Sequence, residues 1–100
     1  MEKTSRIFVA GHRGLVGSAL VRRLASEGYT HVRSAARADL DLTDSRAVRL
    51  LFERERPEFV FLAAARTGGI LANRTYPAEF IYSNLMIQTV VLHAAYLSGV

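Results

Sequence analysis

The chain has no cysteine and no tryptophan, only two prolines, and a single lysine, Lys3, among its thirteen basic residues. Without cysteine there is neither a disulfide framework nor a thiolate metal site. The three histidines, His12, His31 and His93, are scattered and lack the spacing of a zinc site, so no metal is expected. Two prolines and seven glycines are too few for collagen-like or linker sequence. Half of the 100 residues are hydrophobic and 22% are charged, which excludes a disordered chain. The length suits one small domain or part of a larger one. These limits lead us to expect a globular, cytoplasmic protein.

Thirteen basic and nine acidic residues leave a net charge of +4, and twelve of the bases are arginine. Arginine favours planar, bidentate contacts with phosphate or carboxylate. A nucleic-acid surface needs a clustered basic stripe with interleaved aromatics. No such stripe is present, so no nucleic-acid partner is expected. Residues 80–100 carry no formal charge, which raises the question of a membrane span. Ser83, Asn84, Gln88, Thr89, His93 and Ser98 interrupt that stretch, and a span tolerates so many polar groups poorly. The amino-terminal apolar run is too short for a signal peptide.

No repeat or low-complexity segment occurs. Arg6–Ala10 is a short β-branched and aromatic run ending at glycine, which predicts a buried strand. Leu15 to Glu27 predicts a helix, with Val16, Leu20 and Leu24 recurring on one face and Gly28 as its stop. His31–Ala35 suits a second strand. Asp44 is a helix cap, followed by a face of Ala47, Val48, Leu51 and Phe52, and Pro57 ends that helix. Glu58–Ala65 is a nearly continuous apolar run, as in a central parallel strand covered on both faces. An irregular stretch, Arg66 to Pro77, precedes a helix over Ala78–Ser98, and a loop of that length is more often functional than decorative. The alternation predicts an α/β fold with a parallel sheet and right-handed crossovers.

The first strand runs directly into Gly11-His12-Arg13-Gly14-Leu15-Val16-Gly17, a GxxGxxG spacing. Gly11 allows the tight turn, Gly14 lets the backbone approach a pyrophosphate, and Gly17 lets the helix pack closely on the sheet. Amides at the helix start then point at an anion. Placed between a strand and an amphipathic helix, the motif predicts dinucleotide binding. No Gly-Lys-Ser/Thr follows, so a Walker loop is excluded. An NAD site carries an acidic residue about 20 positions after the first glycine. Between Gly28 and Ala38 there is no acid. Arg33 and Arg37 lie there instead, and Arg13 sits in the glycine loop. Two guanidiniums suit a ribose 2′-phosphate, with Arg37 the better of the two later candidates. The cofactor expected is therefore NADP. Asp39 and Asp41 follow closely and reduce the positive field, and Leu42 either flanks the adenine or fills core.

The segments AGHRGLVGSALVRRL, DLDLTDSRAV, FLAAARTGGILANRTYPAEFIYSN and the LHAA tail together resemble the GDP-L-fucose synthase family. These are GDP-4-keto-6-deoxymannose 3,5-epimerase-4-reductases within the extended short-chain dehydrogenase/reductases. The likeness covers essentially all of the chain but only about the first third of a typical member. It implies a Rossmann-type, doubly wound parallel sheet. Residues 1–100 would be the amino-terminal part of the NADP-binding domain, with the rest of that domain and the substrate domain absent. It further implies that Gly11, His12, Arg13, Gly14, Leu15, Val16 and Gly17 cradle the NADP pyrophosphate and that Arg13 and Arg37 hold the 2′-phosphate. Asp41 and Leu42 would line the adenine pocket, and Ala63, Ala64 and Ala65 would pass beside the ribose. Gly68, Gly69 and Ile70 would lie near nicotinamide and sugar. Arg66 and Thr67 depart from the Lys and Val expected there. The implied parent is a cytoplasmic oxidoreductase and isomerase of nucleotide-sugar biosynthesis, acting on a GDP-sugar.

Other readings stand beside this one: another extended reductase or epimerase, such as an NAD-dependent UDP-hexose epimerase, or a non-catalytic NADP-binding module. The last helix, 78–98, is apolar on more than one side, and we expect one side to form a homodimer. His12 reads as a loop residue of the cofactor site, and His93, Tyr82 and Tyr96 as packing or interface residues. Asn84 reads either as a helix-surface amide or as an orienting group. No residue is assigned to catalysis. The short-chain reductases use a tyrosine followed four positions later by lysine. Here Tyr29, Tyr76, Tyr82 and Tyr96 are followed at that distance by Arg33, Phe80, Met86 and Val100. The 100-residue chain is therefore expected to be inactive alone.

Overall fold

The computed structural model describes residues 1–35, 39–63 and 77–100. In chain order the elements are β1 (Ile7–Ala10), α1 (Leu15–Ser26), β2 (Val32–Arg33), α2 (Ser45–Glu55), β3 (Phe59–Leu62) and α3 (Pro77–Leu97). The three strands form one parallel sheet in the order β2-β1-β3. The chain leaves β1 towards one side and returns to the other. This places α1 on one face and α2 with α3 on the opposite face, the Rossmann-type arrangement read from the sequence.

β1 is the centre of both cores, and its alternation divides them. Phe8 and Ala10 face Leu40, Val48, Phe52, Val90, Val91 and Ala94 on the side of α2 and α3. Ile7 and Val9 face Leu24 of α1, with Leu20, Val21 and Phe61 packed around them. Phe8 and Phe52 meet edge to face at 5.5 Å and 67°, a geometry worth about 0.5–1.5 kcal/mol beyond its buried area. The apolar run of β3 predicts a central strand. Among the described residues β3 instead lies at the sheet edge, with Phe59 38% exposed and Val60 to Leu62 half-buried. Hydrophobicity reports that a strand is meant to be covered, and β1 is the strand covered here on both faces and both sides.

The helices begin and end where their residues dictate. Asp44 caps α2 by accepting the Ala47 amide at 3.1 Å. That helix closes on Arg56 in the left-handed region, φ 49°, just before Pro57. α1 ends at Glu27, and Gly28 follows with φ 91°. At its other end α1 lies against the turn out of β1. A Cβ at Gly17 would stand 2.6 Å from the Gly11 carbonyl carbon and closer still to its oxygen, whereas one at Gly14 would clear the same oxygen at 3.5 Å.

α3 buries Val90, Val91 and Ala94 and leaves Ile81, Tyr82, Leu85, Leu92, Tyr96 and Leu97 exposed. Among the described residues no helix is long and apolar enough to cross a membrane.

These clearances separate two glycines of one motif. Gly17→Ala forces the helix off the backbone of the turn and should lower unfolding stability by about 2 kcal/mol or more. Gly14→Ala, at a cap with φ −73° that any residue adopts, should cost about 1 kcal/mol or less. Urea midpoints at unchanged slope measure both. Equal losses would show that the tight approach at Gly17 is unimportant.

Candidate functional site at the carboxyl edge of the sheet

Because the strands are parallel, the segments that follow them gather on one edge of the sheet. β1 opens into the glycine loop, the segment after β2 reaches Asp41 and Leu42, and Ala63 follows the end of β3. The Ala63 amide donates to the Ala10 carbonyl at 2.9 Å, which pins the end of β3 beside the start of the glycine loop. In open parallel sheets this edge, where the chain reverses direction across the sheet, is the place for a ligand.

Gly11 makes the turn with φ 89°, a conformation that suits glycine. Its carbonyl accepts the Gly14 amide at 3.1 Å, and the Gly14 carbonyl accepts the Ser18 amide at 2.8 Å. The loop is thus a closed turn that feeds straight into α1. Gly14 is the cap residue, and no side chain caps the helix there. The first amides of a helix lack partners within it and carry its positive dipole end. Here they lie beside exposed backbone and the exposed side chains of Arg13, Leu15 and Val16, with Leu15 87% exposed. His12 is half-buried. A helix start of this kind offers donor amides of the sort that anions bind.

On the β2 side, Leu40 is buried in the core and Leu42 packs against it, so Asp41 between them is exposed at the edge. The sequence reading passes over Thr43. Its amide and hydroxyl both donate to Asp41 Oδ1, at 2.9 and 2.6 Å. An Asp followed two residues later by a hydroxyl residue is the pattern that could have revealed it. Arg33, the weaker of the arginine candidates, is turned elsewhere. Its guanidinium lies 4.0 Å from Glu55 at the end of α2, beside a hollow that Arg6, His31 and Pro57 also line.

Gly11 to Gly17, Asp41, Leu42 and Ala63 thus all follow strands or precede helices on the carboxyl edge of the sheet. Arg37, Ala64, Ala65, Gly68, Gly69, Ile70 and Tyr76 lie outside the described residues. On α3, Asn84 is half-buried while Tyr82, His93 and Tyr96 are exposed, away from the glycine loop in sequence and held on the opposite face from α1. Among the described residues no three metal-ligating side chains gather.

The chain is similar to proteins of known activity. Over 99 residues the chain is 56% identical to GDP-L-fucose synthase 1 of Arabidopsis thaliana, covering 99% of this chain and 31% of that protein. It is 52% identical over 95 residues to the GDP-L-fucose synthase of Escherichia coli, covering 95% of this chain and 30% of that protein. The solved structure of MlghC, a GDP-mannoheptose C4 reductase from Campylobacter jejuni with NADP bound, matches with a TM-score of 0.94 at 43% identity, over 100% of this chain and 32% of that one. The chain spans about 30% of the length of the curated relatives it matches. The likeness to GDP-L-fucose synthases drawn from the sequence segments is thus borne out. With the NAD dependent epimerase/dehydratase model matching residues 7–100, the chain belongs to that family.

Proposed function

We propose that this chain is the cofactor half of an NADP-dependent GDP-L-fucose synthase. That enzyme converts GDP-4-dehydro-6-deoxy-D-mannose to GDP-L-fucose by 3,5-epimerisation and 4-reduction. The observation that carries the reading is the glycine turn: α1 rests so close on Gly11 that no Cβ fits at position 17. The helix start and its amides are thereby drawn up to the carboxyl edge. The named activities of the relatives supply the sugar.

In this reading the amides at the start of α1 face the pyrophosphate. Arg13 and Arg37 hold the 2′-phosphate through charge-assisted contacts. Asp41 and Leu42 line the adenine, and Ala63, Ala64 and Ala65 run beside the ribose. NADPH, when bound, supplies the hydride. The missing acid between Gly28 and Ala38 supports NADP over NAD. We place the reaction in the cytoplasm, in keeping with a chain free of cysteine.

The reading includes a homodimer through α3. One side of that helix covers the sheet with Val90, Val91 and Ala94, and the other offers Ile81, Leu85, Leu92 and Tyr96. A helix apolar on more than one side has more than one face to bury, and a two-fold pairing of identical faces is the commonest way to bury one between subunits.

Three measurements test these statements. Arg37→Ala in the intact protein should weaken NADP binding by about 1.5–3 kcal/mol while NAD binding changes little; equal losses in calorimetry would remove the NADP assignment. Sedimentation at micromolar concentration should show a dimer of the intact protein, and a monomer would refute the α3 interface. The 100-residue chain has no tyrosine followed four positions later by lysine, and a ketone reduction needs a proton donor. It should therefore oxidise no NADPH when given the keto sugar. Substrate-dependent loss of nicotinamide absorbance, after rigorous removal of host enzyme, would sink that claim.

A further inference from the structure

We propose that the hollow at the amino edge of the sheet, lined by Arg6, His31 and Arg33, binds a small oxyanion of the phosphate class, apart from the glycine loop.

Val32 packs with Ile7 and Leu24 on the side of α1. Alternation along a strand sends its neighbours His31 and Arg33 to the opposite face, where α2 ends at Glu55. Arg6 stands just before β1, and Pro57 lies two residues before β3. Together with Glu55 and the buried Ile7 and Phe8, these residues line one hollow of about 350 Å³, open mouth included. The hollow sits at the start of β1 and the glycine loop at its end, so a ligand in one leaves the other free.

Charge around the hollow does not balance. Glu55 is shared, with Arg54 at 3.4 Å from Oε1 and Arg33 at 4.0 Å from Oε2. Glu58 pairs with Arg6 at 3.4 Å. Three guanidiniums thus divide two carboxylates. The carbonyl end of α2 also attracts cations, and Arg6 meets that demand: its Nε donates to the Arg56 carbonyl at 2.7 Å. Arg33 has no such use. At 4.0 Å its contact with Glu55 is an ion pair without a hydrogen bond. Among the described residues its N–H groups donate to none, which leaves them for water or a ligand.

His31 adds a further donor. Thr30 Oγ1 donates to the Lys3 carbonyl at 3.4 Å and so accepts from His31 Nδ1 at 3.0 Å. Nε2 is left over, and it donates when the ring is charged. The donors come from the segment before β1, the segment before β2 and β2 itself. A carboxylate offers two acceptors in one plane. Phosphate offers acceptors in several directions and is a preferred partner of arginine, so it suits donors that arrive from separate elements.

Equilibrium dialysis of the intact protein against radiolabelled inorganic phosphate tests this, at constant ionic strength and with or without saturating NADP. The native protein should bind phosphate saturably in both conditions. Arg33→Gln should weaken that binding by about 3- to 10-fold, and His31→Gln by a smaller factor. Arg6 is left in place because it also holds the end of α2, and unfolding midpoints check that each variant is folded. Phosphate that binds only without NADP has the glycine loop as its site. Phosphate that binds Arg33→Gln as well as the native protein makes the surplus charge ordinary solvated surface. Either result overturns the proposal, as does the absence of saturable binding.

Discussion

The Gly11 carbonyl occupies the place where the first carbon of any side chain at position 17 would stand. Much of the candidate site follows from that approach. Because α1 sits directly against the turn, the helix starts only a few residues after β1 ends, and its unpaired amides arrive at the edge of the sheet. A bulkier contact would push the helix outward and separate its dipole from the strand ends. The two outer glycines of the motif act on one another, Gly11 by turning the chain at φ 89° and Gly17 by leaving room for that turn. Gly14 does something else. Its conformation suits any residue and a Cβ there would meet the Gly11 oxygen at an ordinary contact distance, so glycine there keeps backbone accessible to whatever occupies the edge.

The sheet joins this edge to a core with unequal faces. On the α2 and α3 side, Phe8, Phe52, Val48 and Val91 form a dense cluster around an edge-to-face aromatic pair. On the α1 side, among the described residues, the buried apolar cluster is smaller: Ile7, Val9 and Leu24. The glycine loop belongs to the thinner side and depends on the backbone contact at Gly17 in place of a broad apolar interface. α3 has the reverse character. It is well seated through Val90, Val91 and Ala94, yet still carries more apolar surface than its place in the sheet consumes.

Most of the fold is legible in the sequence because its elements are set by local chemistry. Gly28 after α1, Asp44 before α2 and Pro57 after it bound their helices as capping rules require. The second strand is harder to read. His31–Ala35 looks extended, but only Val32 and Arg33 pair with β1, since ladder length depends on a partner the local sequence does not name. Among the described residues β3 has a strand on one side only and β1 has one on each side, so an apolar run tells of coverage without naming the neighbour that supplies it. At the site, the glycines are legible through their spacing, and the residues after β2 only through composition. The partner of Arg33 is invisible to a count of charges. It takes the fold to put Glu55 beside Arg33. Thr43 is missed because its two hydrogen bonds depend on the turn, and the turn depends on Leu40 and Leu42 being anchored first.

That last dependence shows how the site is supported. In Leu40 to Asp44, the leucines hold the segment to the core, Asp44 starts α2, and Asp41 with Thr43 faces the edge. Structural and site-facing residues alternate along the five. The cap at Asp44 is worth about 1 kcal/mol, a modest share of the 5–15 kcal/mol typical of a folded domain. Its loss would leave most of the fold in place. Its effect at the edge is larger, because the same turn carries the Asp41 carbonyl bond to the Asp44 amide. Fraying the start of α2 therefore frees the backbone under Asp41 before it endangers the core. Precision at this edge is controlled by contacts too weak to decide whether the protein folds, and the geometry of the turn can change with little change in stability.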